Sequence, residues 1–286
     1  MGTPILGAPI AHALDLEVLE IVKDLASRGV MPRLVALTAG NDAASEVYLG
    51  RQAKSASRLG MAYEVRRASA PTEAAFLAEI DSLNADPLVS GVIIQMPLPQ
   101  GVKAETLQSR LSPDKDVEGV HPTNLGRLLE VSPVVAPCTA AAVIECLLAA
   151  DVELRGSEIV VVGRSRIVGR PAALLLVERD ATVTLAHSRS RDLAAITRRA
   201  DVVVMAVGRA GLLTPAMIRP NAVVIDVGIN EVMKDGKRSL LGDAAPEIAD
   251  VASAFTPVPG GVGPVTVALL WRNAARLARK AYDSNR

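Results

Sequence analysis

Cysteine is almost missing from this chain: Cys138 and Cys146 are its only two among 286 residues. Two thiols cannot build a disulfide framework, nor a metal site by themselves, and they suit a reducing cytoplasm. A surplus of charge is missing too. The 31 basic residues match 31 acidic ones for a formal net charge of +0, and no basic run or tail stands out. A nucleic acid or an anionic membrane therefore has no electrostatic footprint here. No apolar run approaches the ~20 residues of a membrane span. The opening MGTPILGAPIAHALDLEVLE reaches Asp15 and Glu17 without the basic start and small-residue cleavage site of a signal peptide. These absences set the expectation of a soluble cytoplasmic protein with no metal, nucleic-acid or membrane partner.

What is present is an ordinary foldable composition, 50% hydrophobic and 22% charged, in a chain long enough for two domains of ~100–200 residues. Strand-like and helix-like segments alternate. RLVALTAG (33–40) is a short apolar run ended by glycine, a helical pattern runs from Asp42 to about Leu59, and MAYEVRRA (61–68) is strand-like. A helix start at Pro71-Thr72 opens PTEAAFLAEIDSLNAD, and the β-branched run of VSGVIIQMPLPQG follows. This order predicts a parallel sheet. Alternation resumes after Leu154 with a strand at 157–163, a helix in RPAALLLVERD, and strands at 181–188, 201–208 and 222–230. The last stretch, from Val265, is helical with an apolar stripe and a basic end. Two α/β domains are expected, joined within 133–154, with the terminal helix crossing back to the first.

In the second half, the loop GRSRIVGRP (163–171) links a strand to a helix. Gly163 permits a tight turn, Gly169 lets backbone approach a ligand, and the free N–H groups of the helix start suit a phosphate. The glycines have five residues between them rather than standing as GxGxxG, so the spacing alone equally describes a plain strand-to-helix turn. The next strand ends AHSRS, without the carboxylate that holds ribose hydroxyls in NAD-binding folds. Arg164 and Arg189 with Ser165 and Ser188 instead suit a 2′-phosphate, hence NADP. The alternatives at this point are two solvated arginines and, for His187, a packed structural histidine.

Six motifs occur in order: GVIIQMPLPQG (91–101), SPDKDVEGVHPTNLGRL (112–128), VVGRSRIVGRP (161–171), ATVTLAHSRS (181–190), VVIDVGIN (223–230) and TPVPGGVGPVT (256–266). Together they resemble the bifunctional methylenetetrahydrofolate dehydrogenase/methenyltetrahydrofolate cyclohydrolase (FolD) family, from about residue 5 to the last helix. The resemblance implies an α/β fold with a parallel-sheet catalytic domain (1–136 and 265–286) and a Rossmann-like NADP domain (137–264). It also implies a homodimer, NADP as oxidant and a folate one-carbon substrate. Carried over residue by residue, it puts Gly163, Arg164, Ser165, Ile167, Gly169, Ser188, Arg189, Gly228 and Ile229 at the cofactor. Tyr48, Gln95, residue 118, Gly263 and Pro264 go to the substrate, and Tyr48, residue 52 and Gln95, which in the family helps organise a lysine, are the catalytic positions.

Two substrate-site positions depart from the family, besides a milder change in PCTAAAVI (137–144), where the family usually has Pro after the Thr. Its opening helix carries a tyrosine and, four residues on, a lysine that serves the proton transfers of methenyl hydrolysis. Tyr48 matches, but the fourth residue after it is Gln52, an amide with no proton to give or take near neutral pH. Lys54 points about 200° away from Gln52 on a helix and is expected on a solvated face, and the guanidinium of Arg51 is a poor shuttle. The family motif KDVDG is here KDVEG, so the pterin-binding carboxylate is Glu118, one C–C bond further out. Asp116 is expected to tie down its own loop. The resulting expectation is an NADP-dependent dehydrogenase whose cyclohydrolase activity is weak or absent. The alternatives are a fully bifunctional enzyme, a non-catalytic NADP- or folate-binding homologue, and a different pterin as one-carbon carrier.

Overall fold

A computed structural model describes residues 1–39, 43–130, 133–234 and 237–284. Gly40 and Asp42, at the ends of two sequence-predicted elements, lie outside the described residues. The chain divides into two compact units: Leu14–Ala136 with Leu270–Arg286, and Met1–Ala13 with Pro137–Leu269.

The second of these holds a six-stranded sheet in which every neighbouring pair is parallel. Its strands are β1 (Thr3–Pro4), β5 (Glu158–Val162), β6 (Thr182–Ala186), β7 (Val202–Met205), β8 (Val223–Asp226) and β11 (Ala254–Phe255), in the order β1-β11-β8-β7-β5-β6. The interior strands are near-continuous Val and Ile runs, as a sheet covered on both faces requires: all of β7 and Ile159 to Val162 of β5 are buried. Helix α6 (Cys138–Ala149) fills most of the stretch expected to be a join, and α7 (Gly169–Val177) and α8 (Leu193–Thr197) follow β5 and β6. An antiparallel hairpin of β9 (Asn230–Lys234) and β10 (Lys237–Leu241) comes after β8. The strand expected over 222–230 stops at Asp226, whose carboxylate turns back to accept the Gly228 N–H at 2.9 Å.

The other unit holds three parallel strands in the order β3-β2-β4: β2 (Arg33–Thr38), β3 (Ala62–Arg67) and β4 (Gly91–Ile94). Helix α2 (Ala43–Arg58) joins β2 to β3, α3 (Glu73–Ala85) precedes β4, and the short α4 (Ala104–Arg110) and α5 (Pro122–Arg127) follow it. Thr72 caps α3 by accepting the Ala75 N–H, and Phe76, Ile80 and Leu83 bury its inner face. At the far end Lys115 Nζ donates to the carbonyls of Leu83, Asn84 and Asp86 at 2.7–2.9 Å, satisfying groups the helix leaves open. This ties the 112–118 loop beside β4, where Asp116 bridges Val92.

Helix α1 (Gly7–Ser27) and helix α9 (Val262–Ser284) each contribute to both units. The later part of α9 packs with the three-stranded unit: Trp271 is buried, Asn273 donates to Val117 O at 2.9 Å, and Arg276 pairs with Glu17 at 2.7 Å. The division expected from sequence put residues 1–13 and 265–269 differently. Strand β1 pairs with β11 and the Gly7 N–H donates to Gly260 O, so the first thirteen residues belong with the six-stranded sheet.

Candidate functional site

In the six-stranded unit the chain runs from β5 outward to β6 and then returns to β7 on the other side of β5. Such a reversal opens a crevice at the carboxyl ends of the strands. A cavity of about 440 Å³ lies there, and Gly163, Arg164, Ser165, Ser188 and Arg209 are among its lining residues. The loop after β5 is shaped by glycine where nothing larger fits. Gly163 has φ 127°, and a Cβ on it would lie 2.1 Å from Ala206 O. A Cβ on Gly169 would lie 2.0 Å from Gly163 O, so α7 starts in direct backbone contact with the strand end. Ser165 Oγ accepts the Val168 N–H at 3.1 Å, holding the loop against the helix start. His187 has a structural role: its Nδ1 accepts the Arg189 N–H at 3.1 Å, and its own N–H donates to Ser190 Oγ at 3.0 Å. Arg189 and Ile167 are exposed and do not line this cavity. Cations at the rim and the close backbone approach that Gly163 and Gly169 permit fit a dinucleotide phosphate.

A second cavity of the same unit, about 500 Å³, brings together Gly228 and Ile229 after β8 with Gly263 and Pro264 at the start of α9. The cofactor and substrate residues expected here thus share one wall. Under that wall lie two acids for which the sequence raised no expectation. Asp243 is fully buried and accepts the N–H groups of Val207, Gly208 and Arg209 at 2.7–3.0 Å, and Asn230 Nδ2 at 3.0 Å. Asp226 accepts from Gly228, Asp243 and Ala244. Burial pushes the Asp226 carboxyl up to about 6, against the pull of those N–H groups, and the neighbouring Asp243 charge adds to the rise. The available signal was an acid two residues before a glycine in DVGIN and a second one in GDAA, just past a hairpin.

The three-stranded unit carries the remaining expected residues. Helix α2 buries Leu49, Gln52 and Ala56, and the turn after it buries Leu59, a 3–4–3 spacing that faces the sheet. Tyr48 lies one turn before Gln52 and stays 43% exposed. Arg51 and Lys54 are exposed, Lys54 as its helical angle predicts. Gln52 Oε1 accepts the Tyr63 hydroxyl at 2.6 Å, while its buried Nε2 has no partner among the described protein atoms. Gln95 follows β4 directly; its N–H donates to Leu37 O, its Nε2 donates to Met96 O at 3.1 Å, and its buried Oε1 is unpartnered. Asp116 Oδ2 accepts the His121 N–H and Asn124 Nδ2, both at 2.8 Å, so it organises its own loop. Glu118 is partly buried. Burial, and secondly the Asp116 charge, push its carboxyl up to about 7, while the Ile94 N–H at the sheet edge pulls it back. Tyr63 was not singled out from sequence. A tyrosine on a short edge strand gives no sign of meeting an amide eleven residues earlier.

Among the described residues no cluster of three or more His, Cys, Asp or Glu is arranged to hold a metal ion, and no helix is long and apolar enough to cross a membrane.

Comparison with known proteins gives a consistent picture over the whole length. Residues 5–118 match the family model of the tetrahydrofolate dehydrogenase/cyclohydrolase catalytic domain, and residues 137–282 that of the NAD(P)-binding domain. The bifunctional protein FolD 2 of Geobacter sulfurreducens is 44% identical over 100% of both chains. The crystal structure of the Campylobacter jejuni bifunctional FolD enzyme superposes with a TM-score of 0.91 at 34% identity, covering 98% of this chain and 99% of that one. The Trypanosoma brucei FolD structure, complexed with NADP cofactor and an inhibitor, gives 0.89 at 35% identity, covering 98% of each.

Proposed function

The chain belongs to the tetrahydrofolate dehydrogenase/cyclohydrolase family, and from that membership we propose that it oxidises methylenetetrahydrofolate to methenyltetrahydrofolate with NADP and hydrolyses the product weakly or not at all. The observation that carries the second half is Gln52. A buried neutral amide, bonded to a tyrosine, stands where the family has its proton-carrying lysine, and an amide neither donates nor accepts a proton in catalysis near neutral pH.

NADP supplies the hydride acceptor. Hydride transfer then needs mainly positioning, which a scaffold without a proton carrier still provides. The loop from Gly163 to Gly169 offers N–H donors to the pyrophosphate, with Ile167 beside it. Arg164, Arg189, Ser165 and Ser188 bind the 2′-phosphate end, and Gly228 and Ile229 approach the nicotinamide. On the folate side Tyr48 stacks on the substrate from an exposed position, Gln95 and Glu118 hydrogen-bond its pterin, and Gly263 and Pro264 border it. Residues 14–136 with 270–286 act as the folate part, and residues 1–13 with 137–269 as the NADP part. By the same family reasoning we infer a cytoplasmic homodimer, which light scattering on the purified protein tests.

The deciding experiment follows NADPH and methenyltetrahydrofolate together from methylenetetrahydrofolate and NADP. The dehydrogenase-only enzyme makes both in step, and the methenyl product persists as long as in an enzyme-free control. NADPH without methenyl accumulation sinks the claim about Gln52. Binding of both ligands without NADPH makes the chain a non-catalytic homologue.

One observation favours a bifunctional enzyme instead. A carboxyl raised to about 7 exchanges protons readily at working pH, and Glu118 is such a group. If hydrolysis is found and vanishes in Glu118→Gln, that carboxyl has taken over the lysine's task.

A further inference from the structure

Gln52 is more than a missing lysine. Its Oε1 accepts the Tyr63 hydroxyl at 2.6 Å, a short bond that fixes which end of the carboxamide faces the tyrosine. The other end, Nε2, is left with two N–H groups, buried and unpartnered among the described protein atoms. A folded chain rarely leaves a buried donor unpaired, and each case asks for a reason. Gln95, at the end of the neighbouring strand β4, shows the complementary defect: its Nε2 is used on Met96 O while its buried Oε1 is free. One donor and one acceptor are thus held in reserve on residues already assigned to the folate side.

Tyr63 is built to keep that arrangement fixed. It sits on β3 opposite Leu34 of β2. Its ring meets the buried Trp271 edge-on, with centroids 6.3 Å apart and planes at 61°. Burial raises its phenol above the usual range, so the hydroxyl stays a donor throughout the working pH range and serves neither as base nor as acid.

We propose that Tyr63 is a positioning residue of the folate site: its hydroxyl clamps Gln52 Oε1 and so presents Gln52 Nε2 as an uncharged donor to a carbonyl or imine acceptor of the substrate. This rests on the folate assignment above and adds to it a residue that acts only through Gln52. The amide therefore retains a binding role on the dehydrogenase substrate, although it cannot carry protons.

The test is steady-state kinetics of Tyr63→Phe, which removes one oxygen and keeps the ring on Trp271. The folate KM rises roughly five- to tenfold, the scale of one mis-set hydrogen bond, while the NADP KM stays at the wild-type value. Gln52→Met gives a similar rise, and the double variant is no worse than the worse single one, because both changes remove the same contact. A merely structural tyrosine gives a lower Tm with an unchanged folate KM, or independent additive losses in the double variant, and either outcome overturns the proposal. Wild-type protein that makes no NADPH from methylenetetrahydrofolate overturns the folate assignment itself, and the proposal with it.

Discussion

Asp243 donates its backbone N–H to Asp226 Oδ1 at 3.0 Å, which makes two buried acids neighbours in one network of N–H donors. Through Asp243 the network holds Val207, Gly208 and Arg209 after β7. Through Asp226 it holds Gly228 after β8. Arg209 lines one cavity of this unit and Gly228 the other, so a single pair of carboxylates shapes both. Asp243→Ala strands three backbone donors at once. The expected cost is about 3 kcal/mol or more in urea unfolding, with an NADP Kd at least tenfold higher by titration calorimetry. A variant of wild-type stability that binds NADP normally would reduce the network to decoration.

Arg189 offers a sharper test of cofactor choice. It is exposed and lies outside the cavity lining, so any work it does falls on a group that projects from the crevice. Arg189→Ala is expected to weaken NADP roughly tenfold or more while leaving NAD untouched, because a charge-assisted bond to phosphate is lost only with the phosphorylated cofactor. Equal weakening of both means that Arg189 only shapes its turn.

Two glycines in helices make opposite predictions. A Cβ on Gly169 would sit 2.0 Å from Gly163 O, whereas a Cβ on Gly50 in α2 would meet nothing within 4 Å. Gly169→Ala should lower the Tm and NADP affinity together. Gly50→Ala should raise stability by about 0.5–1 kcal/mol through helix propensity. Thermal melts of both variants, with and without NADP, decide.

Glu118 sets a pH dependence. Its carboxyl stands at about 7 in the folded chain against an ordinary value of 4.5. The folded state therefore binds the proton more tightly than the unfolded one, and stability is lost as pH rises across that window. Glu118→Gln keeps an acceptor for the Ile94 N–H but has nothing to ionise. Its Tm relative to wild type should climb between about pH 4.5 and 7 and level off above. The folate kcat/KM of wild type should carry an apparent pKa near 7 that the variant lacks. A Tm difference that is flat with pH rules this out.

Much of the fold was legible because its central strands are buried on both faces. The runs in β2, β5 and β7 leave no room for a polar alternation, and glycine ends them, so strand, helix and parallel order followed directly. The capped helix α3 was equally open, since Thr72 and the spacing of Phe76, Ile80 and Leu83 are local signals. The signals that failed were long-range. Strand β1 has only two residues, and only its pairing with Ala254 and Phe255 reveals it. The glycine loops and Gln52 could be named from motif and family pattern. Tyr63, Asp226 and Asp243 could not, because what distinguishes them is the partner across the fold. Asp243, for example, receives its donors from 34 to 36 residues away.

The edge-on meeting of Trp271 with Tyr63 has an optical consequence. Trp271 is the chain's single tryptophan, it is 1% exposed, and it belongs wholly to the three-stranded unit. Its emission is an intrinsic lamp placed in that unit, blue-shifted while the unit is folded. At 6.3 Å, light absorbed by Tyr63 passes to it efficiently. The share of tyrosine-excited Trp271 emission that is lost in Tyr63→Phe therefore reads the very contact that steadies Gln52, in unlabelled protein.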